Sequence, residues 1–263
     1  MQWEFPGRLG PSPGRYVVRR FAGDDVREVI VIGEGVAPRR LARREQPGTV
    51  PVTRVTVIDA EAVDDEAAAA WLRGAEPGDV RTLAWLLSAY RMAAADPFAA
   101  DADPTRAVAL RVGYGTGAEV AEGRWTAVRE LPVPERPEPR KRSKHRPADR
   151  LAALLAGRDA VLACEELTLR ARADLDLGRS REAALQLEAA LGAAVAELAG
   201  WVSFGDLETR LGELRGYGES VAAAALAARE GRLEPVHVES VSVALARLEA
   251  ALRARALYAA ESL

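Results

Sequence analysis

The sequence predicts an α+β protein: a small N-terminal mixed strand/helix domain followed by an all-α helical bundle. Three observations lead to this prediction. Short runs rich in β-branched residues, separated by Gly/Asp turns, occur in the first 130 residues. A stretch dense in proline and basic residues follows at 131–147. Alanine-rich segments punctuated by glycine fill the rest of the chain. The predicted domains are therefore 1–130 and 148–263, joined by a Pro-rich basic linker at 131–147.

The N-terminal domain is expected to contain five strands and two helices. The first two strands flank Ala22-Gly-Asp-Asp25, a Gly/Asp turn typical of a hairpin. Asp64 and Asp65 are expected to cap a helix that runs to Ala75, because short acidic side chains accept bonds from first-turn amides. A second helix is expected at 78–95, where apolar residues recur at helical spacing. The strands are expected at residues 16–21, 26–32, 52–58, 106–112 and 124–131.

The linker combines a proline-rich half with a basic half. Four prolines lie between Leu131 and Pro139, and proline fixes φ and removes a backbone donor, so this stretch is expected to be extended. The basic run that follows carries charges that suit contact with nucleic-acid phosphates. The candidate anion or nucleic-acid contacts are Arg140, Lys141, Arg142, Lys144 and Arg146.

The C-terminal domain is expected to be a bundle, because alanine-rich helices joined by short loops pack closely. Glycines stand at the expected helix ends, as at Gly178 and Gly231. The helices are expected at residues 148–156, 159–177, 180–199, 204–215, 218–230 and 236–260. The last helix carries an apolar stripe that is either intramolecular core or a dimer seam. The stripe consists of Val241, Leu245, Leu248 and Leu252.

The composition excludes several kinds of site. The chain has 263 residues, with 36 Lys+Arg against 39 Asp+Glu, a net charge of -3, one cysteine and two histidines. Cys164, His145 and His237 are too scattered for a structural zinc site. Neither Lys141 nor Lys144 follows a glycine, as a Walker A loop requires. We expect no metal and no cofactor, and the shortage of catalytic residue types favours a non-enzymatic protein.

The sequence favours a cytoplasmic location. It has no run of about 18 apolar residues, so no membrane span is expected. Residues 1–14 lack the basic-then-apolar pattern of a signal peptide. A single cysteine cannot form an internal disulfide, so nothing in the composition implies an oxidising compartment.

A Gly-rich loop, Gly113-Tyr-Gly-Thr-Gly117, follows one of the expected strands. Glycines at such a position let a phosphate approach the backbone, and they serve equally well in a turn that joins two strands. If the loop binds a ligand, Arg111, Tyr114 and Trp125 are its candidate contacts. If it does not, Trp125 is expected to pack in the core.

Residues 164–197 have the pattern of a helical hairpin. Ala171 stands at a small-residue position of the first helix, and Gly178-Arg-Ser-Arg-Glu-Ala183 supplies a turn and a second small position. Later packing positions are occupied by Leu187, Ala190 and Leu191. This pattern resembles a single tetratricopeptide-type repeat, from which it departs at Asp174 and Val195. No second repeat is visible, so the resemblance implies one helical hairpin rather than a solenoid.

Two segments have an Arg-x4-His spacing, one ending at His145 and one, Arg232-Leu-Glu-Pro-Val-His237, near the last helix. The spacing resembles the signature of HEPN domains, helical domains of which some are ribonucleases. The resemblance implies a nucleic-acid substrate, with His237 as the candidate catalytic residue. Pro235 departs from the helical setting of that signature, and an arginine-rich chain produces the spacing by chance.

These observations favour a non-enzymatic protein–protein interaction or scaffold protein that binds a protein partner or associates with itself. The alternative is a nucleic-acid-associated protein, HEPN-like in its catalytic version, that uses the basic linker. A third hypothesis is a small-ligand domain around Gly113 to Trp125.

Overall fold

The computed structural model describes residues 1–19, 21–38, 49–75, 80–99, 101, 103–134 and 147–261. The chain forms two compact units, Met1–Pro137 and Glu138–Leu263. The first unit is built on a β-sheet with two helices and the second is helical, so the predicted α+β class is confirmed. The five basic residues singled out in the linker, Arg140 to Arg146, lie outside the described residues.

The N-terminal unit is organised around a six-stranded antiparallel sheet with the order β2-β3-β4-β1-β5-β6. The strands are β1 (Gln2–Pro6), β2 (Gly14–Val18), β3 (Glu28–Pro38), β4 (Thr49–Asp59), β5 (Ala109–Tyr114) and β6 (Ala127–Leu131). The hairpin expected around Ala22-Gly-Asp-Asp25 is confirmed, since β2 pairs with β3. Strand β1 is missing from the sequence-based prediction, yet it lies inside the sheet between β4 and β5.

Two helices cover the sheet face that carries Trp3. They are α1 (Asp65–Gly74) and α2 (Arg81–Ala94). Because side chains alternate between faces along a strand, the pairing register puts Arg129 and Glu28 on the face of Trp3. Arg129 donates to the carbonyl oxygen of Arg73 at the end of α1 (3.3 Å), and Thr82 at the start of α2 donates to Glu28 (2.9 Å). Asp64 caps α1 as predicted, accepting the Ala67 amide at 2.8 Å.

The described part of the C-terminal unit contains six α-helices. They are α3 (Pro147–Leu155), α4 (Ala163–Asp176), α5 (Ser180–Glu197), α6 (Leu207–Gly216), α7 (Gly218–Arg229) and α8 (Pro235–Glu261). Helices α4 and α5 form the expected hairpin, and Gly178 turns the chain between them at φ +76°. The residues that carry the tetratricopeptide resemblance are buried between the helices: Ala171, Ala183, Leu187, Ala190 and Leu191. Asp174, where the sequence departs from that family, is buried and binds the side chains of Arg179 and Gln186.

The apolar stripe of α8 belongs to the core of this unit. Its four residues are all buried and pack with apolar side chains of α4, α5, α6 and α7. They are Val241, Leu245, Leu248 and Leu252. Of the two interpretations of the stripe, the structure therefore shows intramolecular core, and these side chains are not exposed as a dimer seam would require.

Helix α5 with the turn after it, Ser180–Trp201, is the only described helical segment that is long and apolar enough to suit a membrane span. Ala183, Leu187, Ala190 and Ala194 are fully buried in the bundle core. A core helix of a soluble protein has the same composition, so this segment is weak support for a span.

A buried ionic network holds the segment before α4 on the bundle. Arg255 of α8 is 2% exposed, donates to Asp159 at 2.7 Å and stacks 4.5 Å from the ring centre of Trp201. Arg150 of α3 binds both Asp159 (3.2 Å) and Glu165 (2.6 Å). Burial acts to raise the pKa of Asp159, but hydrogen bonds from Arg255, a backbone amide and Arg150 outweigh it and hold the pKa below its usual range.

Candidate functional site: a tryptophan-lined cleft

An open cleft of about 1490 Å³ lies in the described part of the N-terminal unit. It lies where β1 begins and β4 and β5 end, and residues of α1 and α2 form part of its walls. Four of the five tryptophans of the chain line it, together with Tyr114. These tryptophans are Trp3, Trp71, Trp85 and Trp125.

Two of the tryptophans stand on the helices and remain open to solvent. Trp71 of α1 is 52% exposed and Trp85 of α2 is 55% exposed. Each helix buries other residues instead: Ala68 in α1, and the cluster around Leu83 and Leu87 in α2. Trp85 is left at the cleft surface because it lies off the apolar face of α2. Trp71 lies one turn from the buried Ala68, yet about half of its side chain remains exposed.

The sequence-based prediction missed Trp71 and Trp85. The signal that would have found Trp85 is its position off the apolar stripe of its helix, which is formed by residues such as Leu83 and Leu87. An aromatic residue at a position that should be polar is a candidate for binding, because it exposes apolar surface that folding does not bury.

The floor and far wall of the cleft come from the sheet. Trp3 is buried, with Val55 and Leu110 as its cross-strand neighbours. Trp125 packs against Gly113, where a Cβ atom would lie 2.8 Å from the indole ring and 2.5 Å from the carbonyl oxygen of Ala127. Glycine at position 113 is thus needed for the indole to approach the strand so closely.

Of the three candidate contacts of the Gly-rich loop, two line the cleft and one does not. Tyr114 and Trp125 line the cleft, as a binding role for this loop requires. Arg111 does not line it, because its guanidinium donates to Glu4 at 3.0 Å and to Gln2 at 3.5 Å on β1. A short 3₁₀ helix at Gly117–Glu122 lies between β5 and β6, so the glycines do not form a tight turn.

The charges of the cleft are balanced in number. Four arginines and four carboxylates line it: Arg15, Arg19, Arg27, Arg81, Glu28, Asp59, Glu61 and Asp65. Glu28 accepts from Thr82, and Asp59 accepts the Glu61 amide at 3.0 Å. Four of the charged side chains make no hydrogen bond or ion pair to another described residue: Arg15, Arg27, Glu61 and Asp65. The cleft thus offers apolar surface together with unengaged charges of both signs.

The candidates in the C-terminal unit have structural partners. The His237 ring accepts the amide of Glu234 (3.1 Å) at the start of α8, and Arg232 forms an ion pair with Glu230. Cys164 is fully buried, and burial raises the pKa of its thiol. Across the described residues no three His, Cys, Asp or Glu side chains cluster as metal ligands would.

Comparison with protein-family models, with curated proteins and with solved structures finds no match to this chain.

Proposed function

We propose that the chain is a non-enzymatic protein–protein interaction protein and that the tryptophan-lined cleft receives a segment of a protein partner. The observation that supports this is the convergence of four tryptophans on one cleft, with Trp71 and Trp85 half exposed. Tryptophan is enriched among residues that dominate binding energy at protein interfaces, because a large rigid ring is buried at little entropic cost.

The size of the cleft favours a peptide segment over a small ligand. Small-molecule pockets typically enclose about 300–1,000 Å³ and bury most of the ligand. This cleft is larger, at about 1490 Å³, and it is open to solvent. An extended or helical segment with apolar side chains would cover Trp71 and Trp85 over such a surface.

The charge balance favours a protein over a nucleic acid. Grooves that bind single strands combine stacking aromatics with an excess of positive charge. Here four carboxylates stand among four arginines, so phosphates would meet repulsion as well as attraction. The nucleic-acid alternative rests on the basic linker at 140–146 and on His237, and it remains a prediction. A cytoplasmic location is likewise proposed from the sequence alone.

Panning a phage-displayed library of random peptides against the immobilised full-length chain tests the proposal. Counter-selection uses the Trp71→Ala/Trp85→Ala variant. We expect enriched peptides that carry apolar residues and that bind the variant about 30-fold more weakly, the effect of losing an interface hot spot. Binding should also shift tryptophan emission to shorter wavelength, because the two rings leave water.

A matched control removes apolar side chains of the same unit that do not line the cleft. Met92→Ala/Phe98→Ala changes two exposed residues and should leave binding unaltered. If panning yields no peptide that binds the wild type more tightly than the Trp71→Ala/Trp85→Ala variant, the proposal is contradicted. The nucleic-acid alternative is favoured if the affinity for single-stranded RNA falls steeply with salt and is unchanged in the Trp71→Ala/Trp85→Ala variant. Loss of ribonuclease activity in the His237→Ala variant would favour the catalytic version of that alternative.

A further inference from the structure

A cluster of three charged residues lies on the sheet face opposite the helices. Helices α1 and α2 cover the face of Trp3, and side chains alternate along β1, so Glu4 lies on the other face. The pairing register adds Arg54 of β4 and Arg111 of β5 to that face. Glu4, Arg54 and Arg111 are named the Glu4 cluster, and none of them lines the tryptophan-lined cleft.

The buried carboxylate of this cluster fixes both guanidinium groups. Glu4 is 5% exposed, and its Oε1 accepts from Arg54 Nε at 3.1 Å, from Arg54 Nη2 at 3.0 Å and from Arg111 Nη1 at 3.0 Å. Gln2, on the same face, accepts from Arg111 at 3.5 Å and donates to buried Thr56 at 3.0 Å. The two guanidinium groups are therefore held in place before a ligand arrives, which lowers the entropic cost of binding.

The Glu4 cluster keeps one net positive charge and three free donor nitrogens. Two guanidinium groups share one carboxylate, so one positive charge is not compensated within the cluster. Arg54 Nη1 and Arg111 Nε and Nη2 make no hydrogen bond to a described residue. The side chains of Arg54 and Arg111 are 28% and 31% exposed, against 7% for Glu4. An anion from solution therefore meets the guanidinium groups before it meets the carboxylate.

Small residues leave room beside the two arginines. The register places Gly33 of β3 directly across from Arg54, and a Cβ atom at Gly33 would have no heavy atom within 4 Å. On the other side of β1, Ala109 lies directly across from Glu4. A ligand can therefore approach the Arg54 guanidinium from the side of Gly33 without displacing a described side chain.

We propose that the Glu4 cluster binds a phosphate group, carried either by a small ester or by free inorganic phosphate. Guanidinium groups bind phosphate through paired N–H bonds, and such charge-assisted bonds are about twice as strong as neutral ones. A phosphate monoester presents three terminal oxygens, one for each free donor nitrogen, whereas a carboxylate presents two. Its negative charge also compensates the positive charge left on the cluster.

Phosphorus NMR of methyl phosphate, titrated with the full-length chain at constant ionic strength, measures this binding. We expect saturable binding with a dissociation constant of about 1 mM, as a few charge-assisted hydrogen bonds would give. Arg54→Gln and Arg111→Gln should each weaken binding about tenfold or more, because each removes such a bond. Acetate, followed by its proton signal, should bind more weakly than methyl phosphate.

Two further variants separate a built site from general attraction to arginine. The control Arg73→Gln removes an exposed arginine of α1, on the other side of the sheet, and should leave the affinity unchanged. Arg54→Lys keeps the charge that compensates Glu4 but loses the planar guanidinium, so it should weaken binding. It replaces Arg54→Gln in the test if that variant does not fold.

A parallel titration with inorganic phosphate distinguishes the two sources, since the natural ligand should resemble the tighter of the two probes. No saturable binding of either probe up to about 50 mM would overturn the inference. Unchanged affinity in both the Arg54 and Arg111 variants, or an equal loss in Arg73→Gln, would overturn it as well. The Trp71→Ala/Trp85→Ala variant should bind phosphate like the wild type, so this inference and the proposed role of the cleft fail separately.

Discussion

Replacing Asp159 by asparagine tests the buried network that anchors α3. The substitution keeps the shape of the side chain and removes the one carboxylate that binds Arg255 among the described residues; the Arg255 side chain is 2% exposed. Two nitrogens of Arg255, Nε and Nη1, already lack a hydrogen-bond partner within the described structure, so the charge has little other compensation. Breaking a buried ion pair by removing one partner costs about 3–5 kcal/mol, and stacking on Trp201 recovers part of it.

Urea denaturation followed by circular dichroism at 222 nm measures that cost, because the C-terminal unit is helical. We expect Asp159→Asn to lower the free energy of unfolding of this unit by about 3 kcal/mol or more. The control Glu166→Gln breaks an exposed pair with Arg170 and should cost less than about 1 kcal/mol. Equal effects of the two substitutions would refute the view that Asp159 neutralises a buried charge.

Three further predictions concern the same unit. Acid should destabilise this unit. The lowered pKa of Asp159 gives stability that is present above about pH 4 and is lost as the pH falls below that value. A urea midpoint that stays constant as the pH is lowered from about 5 to about 3 would contradict this prediction. Cys164, buried with a raised pKa, should react with a thiol reagent only after unfolding, and rapid modification of the native chain would disprove its burial. Gly205→Ala should destabilise more than Gly231→Ala in thermal melts. Both glycines have positive φ, but a Cβ atom at Gly205 would collide with the ring and hydroxyl of Tyr258, whereas a Cβ atom at Gly231 would meet open space.

The helices of the C-terminal unit could be predicted from the sequence because local signals specify them. Glycine at a positive φ ends α4 at Gly178 and α7 near Gly231, and the predicted boundaries differ from those observed by a few residues. The stripe on α8 shows the limit of such signals. Spacing identified Leu245 and Leu248 as apolar neighbours, but only tertiary packing decides between core and seam.

The N-terminal unit was less predictable because its central elements depend on distant partners. Strand β1 has only five residues and ends in Pro6, although Trp3 and Phe5 alternate with polar residues as a strand requires. Arg111 was a candidate ligand contact beside the Gly-rich loop, but its guanidinium donates instead to Glu4 of β1, 107 residues away in sequence. The cleft itself depends on α1 and α2 meeting the sheet end, which periodicity does not encode.

Titration calorimetry of the full-length chain with a peptide selected on its cleft measures whether the cleft is the binding site. Wild type and Met92→Ala/Phe98→Ala should bind alike, and Trp71→Ala/Trp85→Ala should bind about 30-fold more weakly with an unchanged melting temperature. An affinity of the tryptophan variant within twofold of wild type would contradict the claim that the tryptophan-lined cleft is the binding site.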